Sequence, residues 1–336
     1  MVNKEETNDI TAVAVDRYGG PERLRLIRSN SLPPGEGQVE IEIHAAALNR
    51  SDLLAMRGEP FFIRLGNGLT RPRRAVPGSD VAGRIVELGP GVNRFELGDP
   101  VVVDLSEHGR GGLAERVTVD VDAVLPVPPG VSLEAATTLP TAGVTALQAL
   151  KTVAGLQAGE QILIDGASGG VGGFAIQLAR LMGAEVTAVV GRGKVEAAVA
   201  LGADEVVDYT QADPTTPKEE SSTASGPRSY DVIYAVNGHR SLSEYQRVLS
   251  PEGRFVMTGG SGSLMFQTML AGRRYRFHTM RPREEDLALL LKYLDSGELR
   301  PNIVARYPLP RANEALTLLE EGHVAGKIII SVKEGE

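Results

Sequence analysis

The stretch QILIDGASGGVGGFAIQLARLMGA at 161–184 constrains this chain more than any other. A short apolar run ends in a glycine cluster, and the cluster opens onto apolar residues at helical spacing. The stretch therefore reads as strand, tight turn and helix, a nucleotide-binding shape. Gly169 and Gly172 carry the spacing of the last two glycines of the dinucleotide fingerprint, with Ala167 in place of the first. Gly169 lets backbone approach a pyrophosphate and Gly172 lets helix and strand pack closely. The helix start offers the backbone of Ser168, Gly169, Gly170, Val171 and Gly172 to the phosphates.

Alternation continues from there: helix at 172–182, strand at 186–190, helix at 194–201, strands at 205–207 and 231–235, a helix near 241–249 and a strand at 254–258. Such alternation predicts a parallel sheet with helices on both faces. The chain before it differs. Residues 11–48 alternate apolar and polar in short runs (TAVAVDRY, RLRLIRS, QVEIEIHAAAL), and 77–103 and 111–120 repeat the pattern, which predicts a β-rich lobe. Between them, 49–74 is a short helix followed by a long loop rich in Gly, Pro and Arg. The lobe ends at LPVPPG (125–130), and 134–150 reads as two short helices broken at Pro140. A tail of helix (284–297), strand, helix and the strand KIIISV is expected to rejoin the first lobe. The fold class is α/β: a Rossmann dinucleotide-binding domain at 129–274, and a β-rich domain split into 1–128 and 275–336. The polar segment between Thr210 and Tyr230 is expected to be a mobile surface loop.

Several function classes fall away. Among 336 residues, Lys plus Arg number 35 against 43 for Asp plus Glu, and the net charge of -8 gives no general attraction for nucleic acid or acidic membranes. There is no cysteine, which removes disulfides and thiolate metal sites. The polar start MVNKEETNDI and the lack of a long apolar run predict a cytoplasmic protein without signal peptide or membrane span. Of the five histidines, His44, His108, His239, His278 and His323, none has a partner at triad or metal spacing, so hydrolysis is unsupported. His278 follows the basic run RRYRF and is a candidate for the active-site edge, while Arg273, Arg274 and Arg276 read as a solvated face.

The end of the second Rossmann strand selects the nicotinamide. A free ribose 2′-OH is usually gripped there by Asp or Glu, but the strand ends VTAVVGRGK, placing Gly191 where the acid belongs and Arg192 and Lys194 just after it. Two cations without a carboxylate suit a 2′-phosphate, so NADPH is the expected cofactor.

Taken in order, ALNRSD (47–52), PGSDVAG with VELGPGVNRFELGDPVV, GGLAERV, LPTAGVTALQAL, GASGGVG, LGADEVVDY (201–209) and EEGHVAGKIII (320–330) resemble the medium-chain dehydrogenase/reductase superfamily, in its zinc-free quinone oxidoreductase-like branch. The resemblance covers nearly the whole chain and implies a GroES-like catalytic domain wrapped around the Rossmann domain. Zinc-bearing members ligate the metal through Cys, His and Cys at places that match Asn49, Ser79 and Thr141, none a good zinc ligand, so no metal is expected. Asp52 and Asp80 nearby read either as acceptors of turn hydrogen bonds or as ligands of a hard cation. The resemblance pairs Lys194 with Tyr209 around the 2′-phosphate and adds Thr141, Thr145, Asn237, Gly259 and Lys327 to the cofactor contacts. Asn49 and Asp52 become the candidate catalytic residues, the Asn49 amide as donor to a substrate carbonyl. Leu54 stands where some relatives carry a tyrosine, which leaves water as the proton source. The implied reaction is hydride transfer to a quinone or an α,β-unsaturated carbonyl. The alternatives are an enoyl-thioester reductase, for which the arginines at 57, 64, 71, 73 and 74 would form a docking surface, and a non-catalytic NADPH-binding protein. A small-molecule substrate and a homodimer complete the expectation.

Overall fold

The computed structural model describes residues 9–31, 33–61, 63–73, 75–216, 229–322 and 324–333. Of the loop expected to be mobile, 217–228 lie outside the described residues, as do Arg74 and His323.

The chain divides into two compact units, one formed by 1–141, 282–297 and 303–336, the other by 142–281 and 298–302. The first begins with β1 (Asp9–Ala14), β2 (Arg25–Asn30) and β3 (Gln38–Ala47), followed by α1 (Arg50–Arg57) and α2 (Ile63–Asn67). Strands β4 (Asp80–Leu88), β5 (Pro100–Asp104), β6 (Arg116–Asp120) and β7 (Val124–Pro126) follow, and then α3 (Leu133–Ala136). Contacts of α3 with β3, β4 and β5 carry this unit past the Pro-rich stretch at 125–130. Val39, Ile41 and Ile43 are fully buried at alternate positions of β3. A register shift against β4 then interrupts the alternation, and Ala45, Ala46 and Ala47 are all buried. Small side chains there leave room on both faces.

The second unit begins with α4 (Val144–Leu147), flanked by segments of open i→i+5 turns at 139–143 and 148–154. Pro140 sits in the first of these, where its missing N–H does least harm. Next come β8 (Gln161–Asp165), α5 (Gly170–Leu181), β9 (Glu185–Val190), α6 (Val195–Ala200), β10 (Glu205–Asp208), β11 (Tyr230–Gly238), α7 (Leu242–Gln246), β12 (Leu249–Gly260), α8 (Gly262–Leu270) and β13 (Tyr275–Phe277). All six strands are parallel, in the spatial order β10-β9-β8-β11-β12-β13. This is the doubly wound order, in which the chain reverses direction of growth beside the first strand and opens a crevice at the strands' carboxyl ends. Strand β13 falls in the segment read from sequence only as a basic run, and helix α8 in the stretch before it, to which the sequence reading assigned no element.

The tail, α9 (Glu284–Asp295), β14 (Ile303–Pro308), α10 (Ala312–Glu320) and β15 (Lys327–Ser331), belongs to the β-rich unit. Strand β15 pairs antiparallel with β3, with Ile330 opposite Ala46, and parallel with β14. The resulting seven-stranded sheet brings Lys327 beside Leu48 and Asn49. Among the described residues, no helix is long and apolar enough to cross a membrane.

Candidate functional site

In the doubly wound unit, every residue expected from sequence to touch the cofactor lies at the carboxyl end of a strand or just past it, except Thr145, which is buried in α4. Gly166, at φ +86°, turns the chain out of β8. A Cβ on Gly172 would come within 2.6 Å of Ala167, so only glycine lets α5 start this close to the strand. At Gly169 a Cβ would meet only the Gly166 carbonyl, at 4.0 Å, leaving the turn open on the side where a phosphate approaches. Gly169 caps α5 without any side chain, so the first N–H groups of this twelve-residue helix stay available to a ligand. Asn237 and Gly259 are paired residues at the ends of β11 and β12, and the Asn237 amide bonds the His239 ring at 3.0 Å.

One strand over, Gly191 follows β9 and Tyr209 follows β10, and the Tyr209 N–H donates to Val190. The Tyr209 ring lies against Gly191: a Cβ there would meet the phenol oxygen at 2.9 Å. Arg192 is exposed and Lys194 is partly buried at the start of α6, where burial lowers its ammonium below the ordinary lysine value. An anion beside Lys194 would reverse that shift. The chemistry of these groups therefore fits a phosphate-bearing dinucleotide: an uncapped helix start, a glycine turn, and two cations by a strand end that lacks a carboxylate.

Beside the fingerprint turn is a buried charge cluster that sequence reading missed. Asp165, the last residue of β8, accepts hydrogen bonds from Arg240 Nη1 and from the Tyr245 hydroxyl, both at 2.6 Å on Oδ2. Burial drives the Tyr245 phenol far above its ordinary value, with Asp165 adding to the effect, so it remains a donor. Arg240 Nε also lies 3.6 Å from Asp213 Oδ1.

The β-rich unit gathers a second set. Asn49, at the start of α1, donates from Nδ2 to Asp80 Oδ2 at 2.9 Å and to the Ala47 carbonyl at 3.3 Å, and its Oδ1 accepts from Lys327 Nζ at 2.6 Å. Thr141 donates to Asp80 from its backbone N–H at 3.1 Å and from Oγ1 at 2.6 Å. Asp52 accepts from the Asn49 backbone at 2.9 Å, from Ser79 Oγ at 2.8 Å and from Arg110 Nη1 at 2.7 Å. Arg110 itself takes φ +63° between glycines in GRGG. All three positions that the resemblance matched to zinc ligands thus hydrogen-bond a carboxylate, and Lys327 and Arg110 supply the positive charge. Among the described residues, no three His, Cys, Asp or Glu side chains converge as a metal site.

Both N–H groups of the Asn49 amide, expected to face a substrate carbonyl, are directed to Asp80 and Ala47, so an incoming oxygen would replace one of them. Asp80 and Lys327 are both buried and lie 3.8 Å apart. Burial lifts the Asp80 carboxyl to about 7, against the opposing pull of Lys327, Thr141 and Asn49. Burial likewise presses the Lys327 ammonium down, with Asp80 and Asp52 resisting.

His278 lies just past β13 in the doubly wound unit, where its N–H donates to Met257 and burial lowers its imidazole despite a Thr145 hydrogen bond. Arg273, Arg274 and Arg276 are exposed.

Comparison with known proteins supplies context for both sets. Residues 35–129 match the alcohol dehydrogenase GroES-like domain and residues 201–330 match a family described as zinc-binding dehydrogenase. The chain is 34% identical to a chloroplast envelope quinone oxidoreductase homolog of Arabidopsis thaliana, covering 93% of this chain and 95% of that one. It is 30% identical to the human mitochondrial NAD(P)H oxidoreductase RTN4IP1, over 96% of this chain and 89% of the relative. The solved quinone oxidoreductase of Coxiella burnetii superposes with a TM-score of 0.83 at 28% identity, over 97% of this chain and all of that one.

Proposed function

The chain belongs to the medium-chain dehydrogenase/reductase superfamily as a quinone oxidoreductase-like oxidoreductase that uses a nicotinamide cofactor, and we propose that it is an NADPH-dependent, zinc-independent reductase of quinones or α,β-unsaturated carbonyl compounds. The observation that carries the proposal is the buried set around Asn49, Ser79 and Thr141. With carboxylates bonded to all three and cations built in from Lys327 and Arg110, the site has no ligand set for a Lewis acid. Removing a proton from an alcohol without one is hard, whereas quinones and conjugated alkenes accept hydride on their own electrophilicity.

NADPH, when bound, supplies the hydride. The start of α5 takes the pyrophosphate, and Arg192, Lys194 and Tyr209 take the 2′-phosphate. Asn49 offers a carbonyl oxygen the N–H now given to Ala47 at 3.3 Å, the longer of its two bonds. Lys327 on its Oδ1 draws electron density from the amide and strengthens that donor. Water supplies the proton. An acyl carrier would need a basic docking surface: Arg57 is paired with Glu320 and Arg64 is turned onto the Gly58 and Arg57 carbonyls, while Arg71 and Arg73 are exposed, so the thioester arm of the test below decides between a small free substrate and a tethered one.

The test is NADPH oxidation with naphthoquinones, enals, enones and enoyl thioesters, before and after exhaustive chelation. Turnover with quinones or conjugated carbonyls that survives chelation is expected. Activity that disappears with the chelator and returns with zinc would sink the metal-free reading. Preference for thioesters would move the substrate, and no turnover on any acceptor would leave a cofactor-binding protein.

A homodimer formed through the doubly wound unit is part of the proposal. Strand β13 ends its sheet, and Phe266, Met269 and Leu270 of α8 are 63%, 68% and 71% exposed beside Phe277. Light scattering should give the mass of two chains, and Phe266→Asp with Leu270→Asp should halve it. A wild-type monomer would end the idea. The cytoplasm is the proposed location, to be checked by fractionation against the organelles named for the plant and human relatives.

A further inference from the structure

We propose that Arg240 is a positioning residue for the cofactor's phosphates, acting by neutralising Asp165 immediately behind the fingerprint turn. The inference rests on the reading that this unit binds a dinucleotide. Asp165 is the last residue of β8, and its carbonyl leads directly into Gly166, whose own oxygen lies beside Gly169 and Gly172. A carboxylate fixed one residue from the turn that receives a pyrophosphate repels it through a medium that screens poorly. Arg240 Nη1 sits on that carboxylate at 2.6 Å, with its side chain 19% exposed and that of Asp165 only 7%. Tyr245, fully buried, donates to the same oxygen. The same guanidinium faces Asp213, four residues past Tyr209, so one side chain joins the pyrophosphate turn to the segment that follows the 2′-phosphate contact.

The experiment is equilibrium binding of NADPH, followed by nicotinamide fluorescence and by calorimetry, to the full chain and to Arg240→Met, Arg240→Lys, Asp165→Asn and the double variant Arg240→Met/Asp165→Asn. Arg240→Met should weaken binding roughly ten- to a hundredfold, the scale of one uncompensated charge, while Arg240→Lys recovers part of it. The double variant should return to within a few-fold of wild type, because the repelling carboxylate has gone together with its partner. A role confined to folding would lower the melting temperature without moving the dissociation constant of the folded protein. Unchanged binding in Arg240→Met overturns the proposal, and so does a double variant no better than the single one. Should Arg240→Met not fold, Asp165→Asn decides: affinity held or tightened supports the proposal, and affinity lost overturns it. Failure of the cofactor reading shows separately, as a wild type that binds neither NADPH nor NADH.

Discussion

Lys327→Met should lower the melting temperature of the β-rich unit by roughly 6–20 °C at neutral pH. The estimate follows from about 3–5 kcal/mol for removing one partner of a buried ion pair and about 2–4 °C per kcal/mol in a unit of this size. Lys327 is 3% exposed and reaches Asn49 Oδ1, the Leu48 carbonyl and, at 3.8 Å, Asp80, so its loss leaves two buried oxygens without a donor and an acid that must take up a proton to stay out of water. Asp80→Asn on top of Lys327→Met should recover more than half of the loss. An amide keeps an acceptor for the Thr141 and Asn49 N–H groups and presents its own donor to Thr141 Oγ1. The pH dependence has a definite sign. The folded Asp80 carboxyl stands near 7 against about 4 for an unfolded aspartate, so between those values the folded chain holds more protons and stability falls as pH rises. Removing Lys327 takes away the charge that holds this value down and extends the window upward, so the variant should suffer more at pH 8 than at pH 5.5. Asp80→Asn should flatten the slope. A Lys327→Met melt within 2 °C or so of wild type at both pH values would mean that the pair is not a stability element.

These partners also show what a sequence can and cannot disclose. The fingerprint was legible because its constraint is local: Gly169 and Gly172 answer to backbone sterics within one turn, and the flanking periodicities are short-range. The same alternation discloses five of the six parallel strands, but not their spatial order, which depends on which crossover packs on which face. Strand β13 was hidden because three residues at a sheet edge, two of them aromatic and one an arginine, carry too little pattern to outweigh RRYRF as a charge run. The buried clusters were hidden for another reason. Lys327 bonds Asn49 across 278 residues of sequence and Arg240 bonds Asp165 across 75, and no periodicity records which charge meets which. The resemblance located Asn49, Ser79 and Thr141, and their side-chain chemistry marked them as unsuited to zinc. That Asp52 and Asp80 collect their hydrogen bonds, and that Lys327 and Arg110 balance the charge, needed coordinates. The sequence did hold one usable signal, an arginine set among glycines at 109–112, where a left-handed backbone turns the Arg110 side chain toward Asp52 and Ser79.

The cofactor preference should reverse in Gly191→Asp. The wild type has no acid at the end of β9, and the space an aspartate Cβ needs is taken by the Tyr209 phenol, 2.9 Å from that point at its oxygen and 3.2 Å at Cζ. Gly191 is not held in the left-handed region, so the backbone accepts the substitution, and Tyr209 is 55% exposed and free to swing outward. The change therefore acts twice: it brings a carboxylate to where a 2′-phosphate would sit, and it evicts one of the groups proposed to hold that phosphate. Each charge-assisted contact is worth about 1.5–3 kcal/mol, and the added repulsion is of similar size, so the ratio of kcat/KM for NADPH over NADH should fall by a factor on the order of a hundred or more. Lys194→Glu alone should lower the ratio by roughly tenfold or more on the same scale, with little change in the NADH value, because that cofactor has no phosphate for the lysine to meet. Steady-state kinetics with both cofactors at saturating quinone separates the possibilities. If neither substitution moves the ratio, Arg192, Lys194 and Tyr209 are a solvated strand end and the 2′-phosphate is read elsewhere. If the wild type already favours NADH while Gly169→Val abolishes binding of both cofactors, the dinucleotide site stands and only its phosphate selectivity has been misassigned, since the uncapped start of α5 receives the pyrophosphate common to the two.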